Sequence, residues 1–357
     1  METKKNVSLF RSSKTADNGI KDSEKLIASI YSSQFVENPD DDTSPIKLVE
    51  RWIKSRAFKY NEFSNEYEFE GKPISTEKAM NTIYFSMLNE VFGMENKVNV
   101  GLFINLLKSD CVPSYNPVKE YFESLGSFSG SGIEIKKIAR SFCTTGMEIG
   151  GVNYVEHFLR KWLIQIIAVT FDGPTDIMLI LEGEKNGTGK SYFFNNILPK
   201  KLQKYTGSFR LENANNLKDK QLLLCQKLLV FVDDAMKKDL FNSGQLKEMV
   251  TANHFNLRRP YGRANGLAKK RAIIAASTNQ IDFIENSDEN HMKVIFQIHE
   301  RFVESFKEID IDSVWAEAYS DYKNMSSSDL KAPWLCSTDE IIWIQMAQLP
   351  FGAKLYK

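Results

Sequence analysis

Cysteine and histidine are scarce, with four of each in 357 residues. Cys111, Cys143, Cys225 and Cys336 form no CxxC pair and have no histidine beside them. His157, His254, His291 and His299 likewise show no ligand spacing, which argues against a zinc site and leaves the cysteines as reduced thiols. Long apolar runs are also missing. The longest, Trp162 to Thr170, is interrupted by Gln165 and falls far short of the ~20 residues that span a bilayer. The N-terminus is polar over Met1 to Asn6, with Lys4 and Lys5, and lacks the apolar core of a secretory signal. The expectation is a cytoplasmic protein with no membrane partner. Net charge is absent too, with 46 basic against 46 acidic residues, while 42% of the chain is hydrophobic. That composition excludes a mainly disordered chain and is enough to build a core, at a length that suggests two domains.

The zero net charge conceals a strong asymmetry. Between Lys190 and Arg271 stand 17 basic residues against 6 acids, an excess of 11 that the rest of the chain must balance. A basic block within a neutral protein suits a polyanionic partner, although solvated helix faces produce the same count.

Along the chain, residues 1–44 read as a polar, partly disordered tail containing the acidic run Asp40 to Asp42. Ile46, Val49, Trp52 and Ile53 then recur at helical spacing, and Lys59 to Phe69 alternates aromatic and polar residues as a small β element does. Further helices are expected over Ala79–Phe92, Val98–Leu107, Pro117–Leu125 and Tyr154–Val169, with a Gly/Ser loop at Gly126–Gly132. The division this suggests is a mostly helical N-terminal domain at 45–150, an α/β core at 151–305 and a helical extension at 306–357.

The chemistry concentrates in the α/β part. Asp176 to Leu181 is a short apolar run of buried-strand type, and after it comes Gly183-Glu-Lys-Asn186-Gly187-Thr188-Gly189-Lys190-Ser191 leading into an apolar helix. Strand, glycine-rich loop, Lys-Ser and helix together are the context of a phosphate-binding P-loop. Backbone amides of such a loop curl around phosphates, Lys190 would reach the β- and γ-phosphates of ATP, and the Ser191 hydroxyl would ligate Mg²⁺. The strict motif has its first glycine where Glu184 stands, with Gly183 one residue earlier.

A second strand, Leu228 to Val232, ends in Asp233-Asp234. A carboxylate at a strand's carboxyl end suits the Mg²⁺ shell and its neighbour suits water activation, so Asp233 is assigned to the metal and Asp234 to the water. A third strand, Ala272 to Ala276, ends in Ser277-Thr278-Asn279, and Asn279 can orient the attacking water without adding charge. Seen alone, either strand end would be an ordinary polar turn.

These pieces together resemble superfamily 3 helicases of the AAA+ class, and more closely the virulence-associated protein E family of phages and mobile elements. The resemblance is carried also by Asn116-Pro-Val-Lys-Glu-Tyr-Phe122, Phe158-Leu-Arg-Lys-Trp-Leu-Ile164, Leu257-Arg-Arg-Pro-Tyr-Gly-Arg263 and Val314-Trp-Ala-Glu-Ala318, and spans roughly Pro45 to Ile344. It implies an AAA+-like P-loop ATPase in the cytoplasm of a bacterial host, working as a DNA helicase or translocase in replication. ATP and Mg²⁺ would be its cofactors, and a homo-oligomeric ring, most simply a hexamer, its working form. Its partners would be single-stranded or forked DNA and a separate primase, since the polar stretch before Pro45 is too short for a primase fold.

One departure bears on mechanism. Where the family carries an Arg-Arg pair after the third strand, this chain has Ser287-Asp-Glu-Asn-His291-Met-Lys293. Lys293 and His291 are then the candidates for action on a neighbouring subunit's nucleotide, although neither offers arginine's planar fork. DNA contact is expected from a hairpin over Leu257 to Arg271 turning at Asn265-Gly266, with Arg258, Arg259, Arg263, Lys269, Lys270 and Arg271 at the phosphates and Tyr261 stacked on a base. Two alternatives stand beside the helicase reading. One is an ATP-gated nucleic-acid-binding regulator with weak or no hydrolysis, favoured by the missing arginine pair. The other is a small-molecule phosphotransferase, which does not explain the basic segment.

Overall fold

The computed structural model describes residues 43–126, 128, 130–142, 148–149, 151–210, 217–233, 248–250, 252–258, 265–279, 293–327 and 332–348. Helix α1 (Pro45–Ser55) opens it, capped by the Ser44 side chain on Lys47 N, with Pro45 in the first turn. Strands β1 (Phe58–Asn61), β2 (Glu66–Phe69) and β3 (Lys72–Pro73) follow, then α2 (Glu77–Phe92) and α3 (Val100–Leu107), capped by Thr76 and Asn99. Next come β4 (Ser114–Tyr115), α4 (Pro117–Ser124), α5 (Glu134–Ser141), the short hairpin β5 (Glu148–Ile149) and β6 (Val152–Asn153), and the long α6 (Tyr154–Thr170). The remaining elements are β7 (Met178–Glu182), α7 (Lys190–Asn196), β8 (Thr206–Phe209), α8 (Leu217–Gln226), β9 (Leu229–Val232), β10 (His254–Arg258), β11 (Asn265–Lys269), β12 (Ile273–Thr278), β13 (Lys293–Gln297), α9 (Val303–Lys307), α10 (Ile311–Ser326) and α11 (Thr338–Gln348).

Contacts divide the chain into two units. One comprises residues up to Phe58 together with Thr76–Val112, and the other comprises Lys59–Ser75 and everything from Pro113 onward. The first holds α1, α2 and α3 around Val49, Trp52, Phe103 and Tyr84, with the Trp52 and Phe103 rings 6.3 Å apart. This division departs from the expected boundary near residue 150. The physical reason is that Val118, Phe122, Ile135 and Ile138 of α4 and α5 share one core cluster with Phe158, Leu159 and Trp162 of α6 and with the main sheet.

That sheet orders its five strands β13-β7-β12-β9-β8, all parallel. Side chains alternate across it, as the two-residue strand period requires. Leu179, Leu181, Phe231, Ile273, Ala275, Val294 and Phe296 face the cluster formed with α4, α5, α6, α7 and α10. Met178, Ile180, Val230, Val232, Ile274 and Ala276 face Leu224 of α8 and Phe255, Leu257 and Ala268 of the β10–β11 hairpin. Both faces are therefore covered, which is why these strands read as continuous apolar runs. A second sheet, β3-β2-β1-β4, joins this unit through Asn61, whose Nδ2 donates to Tyr205 Oη over 2.8 Å, and through Phe63, whose ring lies 4.9 Å from that of Tyr205.

Strands β7, β9 and β12 match the three expected apolar runs. Sequence periodicity did not pick out β8, α5 or β13. Residues 1–42, most of the expected tail, lie outside the described residues.

Candidate active site

Parallel strands present all their carboxyl ends at one edge, and a crevice opens there where neighbouring strands lead to opposite sides. In this sheet β12 lies between β7 and β9, with Thr278 in register with Glu182 and Ala276 with Val232. Glu182, Asp233 and Asn279 thus emerge side by side although the sequence scatters them.

The loop after β7 is built on two left-handed glycines, Gly187 at φ +74° and Gly189 at φ +115°, the latter opening α7. The loop closes around Lys190, which is buried. Its Nζ donates to Gly183 O over 2.9 Å, to Lys185 O over 3.1 Å and to Thr188 Oγ1 over 3.3 Å. Ser191 Oγ donates to Asp233 Oδ1 over 2.6 Å, and Ser277 Oγ reaches the same oxygen over 3.0 Å. Asn279 Nδ2 donates to Asn186 Oδ1 over 2.7 Å, tying the tip of β12 to the loop. Lys190, Ser191, Asp233 and Asn279, with Asn186, Gly187, Thr188 and Gly189, all line one cleft of about 520 Å³. Asp234 lies outside the described residues.

Gly183 is the exception among the expected loop residues. It does not line the cleft, and a Cβ there would sit 2.2 Å from Ile298 O. Its glycine serves the close approach of the chain after β13, and its carbonyl holds the Lys190 ammonium. Three cations in the cleft were not singled out from the sequence: Arg210 after β8, Arg301 before α9 and Lys307 at the end of α9. No local motif marks them, because they enter from chain segments on either side of the expected strands. With Lys190 they set four cations against the Asp233 carboxylate along the cleft wall.

The hairpin is present but differs in register from the expectation. Asn265 pairs with Arg258 and Gly266 with Leu257, so Asn265-Gly266 belongs to the ladder and the connection is residues 259–264. Arg259, Tyr261 and Arg263 lie outside the described residues, and Arg258 is placed by its backbone in β10. Of the three basic residues that follow, Lys270 is buried, Arg271 is half-buried and Lys269 is partly exposed. Lys269 is ion-paired with Asp172. Lys270 is buried, with Nζ donating to Met249 O over 3.3 Å and also to Val250 O, and burial pushes its ammonium down to about 8. Arg271 donates from Nη2 to Glu62 O over 2.9 Å and lies 5.4 Å over the Phe63 ring, with burial lowering its pKa. Lys270 is drawn inward where β11 leaves the hairpin to enter the buried strand β12. Lys293 opens β13 opposite Met178, at the amino end of the sheet and away from its own chain's cleft, and His291 lies outside the described residues.

An α/β protein with a parallel sheet and a lysine-bearing glycine loop at its carboxyl edge is what fold and site define. Residues 133–342, well over half of the chain, match the virulence-associated protein E-like domain, and the chain belongs to that family. No curated protein matches it in sequence. Among solved structures it is similar to the apo A form of the NrS-1 C-terminal region, at 15% identity and a TM-score of 0.51, with 86% of this chain and 76% of that one covered. The same region as residues 305–718 aligns at 13% identity and a TM-score of 0.49, covering 86% of this chain and 75% of the other. Among the described residues no helix is long and apolar enough to cross a membrane.

Proposed function

We propose that the chain is an ATP-hydrolysing P-loop motor of the AAA+, superfamily 3 helicase type, acting on single-stranded DNA in the replication of a phage or mobile element. The observation that carries this reading is the convergence of Lys190, Ser191, Asp233 and Asn279 at one sheet edge. In it Lys190 binds the β- and γ-phosphates, and Asn279 orients the attacking water. Water's oxygen bonds to the γ-phosphorus as the bond to the β–γ bridging oxygen breaks, ADP leaves with that electron pair, and the water's proton passes to a carboxylate, assigned to Asp234.

The donor set suits Mg²⁺. A hydroxyl and a carboxylate share one point, and no group of three or more His, Cys, Asp or Glu forms a metal cage among the described residues. A hard ion that keeps waters and shares substrate phosphates fits such a site, with Ser191 and Asp233 as its protein ligands. When bound it would neutralise phosphate charge.

DNA is assigned to the end of β10 and the β10–β11 connection, through Arg258, Arg259, Tyr261 and Arg263, within a homo-oligomeric ring. ATPase assays with and without single-stranded DNA test the whole reading. Stimulated hydrolysis that Lys190→Ala removes supports it; an unaffected rate in that variant overturns it. An ATP-gated binder with weak hydrolysis is the second reading, favoured by the absence of an arginine pair at Ser287 to Lys293. It predicts ATP-dependent DNA binding with negligible turnover.

A further inference from the structure

The segment between β13 and α9 is tied at two points to the end of β7 and the glycine loop that follows. Ile298 N donates to Glu182 O over 2.7 Å and Phe302 N to Thr188 O over 3.0 Å. A Cβ on Gly183 would meet Ile298 O at 2.2 Å, and one on Gly189 would meet Val303 Cγ2 at 2.6 Å. Between these ties Arg301 reaches the loop directly, Nη1 donating to Gly187 O over 2.9 Å. Glu304 holds the other side of the guanidinium, accepting from Nε over 3.1 Å and from Nη2 over 3.0 Å.

We propose that Arg301 binds the γ-phosphate of ATP held in its own chain's cleft, neutralising in cis the charge for which no neighbouring arginine pair is supplied. This assignment rests on the ATP site proposed above. Position comes first: Arg301 lines the cleft and touches the carbonyl of the glycine between Asn186 and Thr188. Capacity comes second. A guanidinium has five N–H donors, and the contacts to Gly187 and Glu304 use one on each of its three nitrogens. The pair with Glu304 is an exposed one, with side chains 58% and 65% accessible. Exposed pairs are weakly held, so a triphosphate can take over the fork that Glu304 now occupies. The strap comes third. Because backbone bonds on either side of Arg301 tie Ile298 to the end of β7 and Phe302 to Thr188, Arg301 stays in register with the phosphates when the loop adjusts. Lys293 opens β13 opposite Met178, at the end of the sheet away from this cleft.

The test measures ATP and ADP affinity of the full chain and of Arg301→Ala and Arg301→Lys by displacement of a fluorescent nucleotide. It also measures turnover per chain on dilution to the monomer. The expected result is a loss of about tenfold or more in ATP affinity for Arg301→Ala with ADP affinity kept within about twofold, an intermediate ATP loss for Arg301→Lys, and turnover per chain that does not fall with dilution. Equal losses for ATP and ADP would mark Arg301 as a structural prop and overturn the assignment. Unchanged ATP affinity, or turnover that vanishes on dilution, overturns it as well. If the wild-type chain binds neither nucleotide, the ATP site itself is wrong, and that outcome is separate because it appears before any variant is compared.

Discussion

Ser191 Oγ lies 2.6 Å from Asp233 Oδ1, joining the first turn of α7 to the tip of β9 across 42 positions of sequence. The same oxygen accepts from Ser277, so one carboxylate organises the ends of two adjacent strands and the start of the helix. Replacing it by alanine removes the acceptor that these two hydroxyls share. Asp233→Ala should therefore lower stability by about 1–2 kcal/mol in urea titration. Asp233→Asn should keep most of that stability while reducing turnover more than nucleotide binding.

Lys190 is held by loop oxygens in a buried position. Lys190→Ala should reduce ATP turnover by about 10²-fold or more, and circular dichroism should show an unchanged fold. A wild-type rate would remove the glycine loop from the mechanism.

Gly183 carries a steric prediction. Gly183→Ala places a methyl against the Ile298 carbonyl, which belongs to backbone and cannot swing aside. A loss of about 1–3 kcal/mol is expected, read as a lowered urea midpoint. A variant as stable as wild type would show that the strap can move away without cost.

The hairpin separates two kinds of basic residue. Arg259→Ala with Arg263→Ala should flatten the salt dependence of single-stranded DNA binding by about 0.7 of log-log slope for each lost phosphate contact. Lys270→Met should leave that slope unchanged, because its ammonium bonds helix carbonyls inside the protein. Filter binding over a salt series distinguishes them, and a reduced slope in Lys270→Met would mean that this lysine reaches the DNA.

Acid stability should report on Glu340. Burial alone would raise its pKa, but hydrogen bonds from His157, Lys161 and the Ser337 amide outweigh that and hold it at about 2. A carboxylate lowered on folding contributes stability above its unfolded pKa, and the contribution is lost as pH falls through the folded value. The urea midpoint should therefore decline from about pH 4.5 down to about pH 2. Glu340→Gln should lose that part of the decline. At neutral pH it should cost about 3 kcal/mol, since the buried Lys161 ammonium then lacks its counter-charge.

Much of the site was legible in the chain itself. A buried strand running into a glycine loop with Lys190-Ser191 has local chemistry that few other contexts share, and apolar runs ending in Asp233 or Asn279 announce strand tips. Helix starts are decided locally too, by Ser44, Thr76, Asn99 and Asn116 accepting from an amide three residues on, although periodicity alone set two of those starts at Ala79 and Val98 rather than at Glu77 and Val100. What tertiary structure alone decided is where each charge points. Lys269, Lys270 and Arg271 read as one basic patch, yet one pairs with Asp172, one caps helix carbonyls and one lies on Phe63. Arg301 carries no motif, yet it reaches the loop 114 residues earlier. Sheet order is the cause. The arrangement β13-β7-β12-β9-β8 is not the order of the sequence, and β13 pairs with β7 by long-range hydrogen bonds. That pairing lays the chain after Gln297 against the chain after Glu182, where local spacing could not have put it.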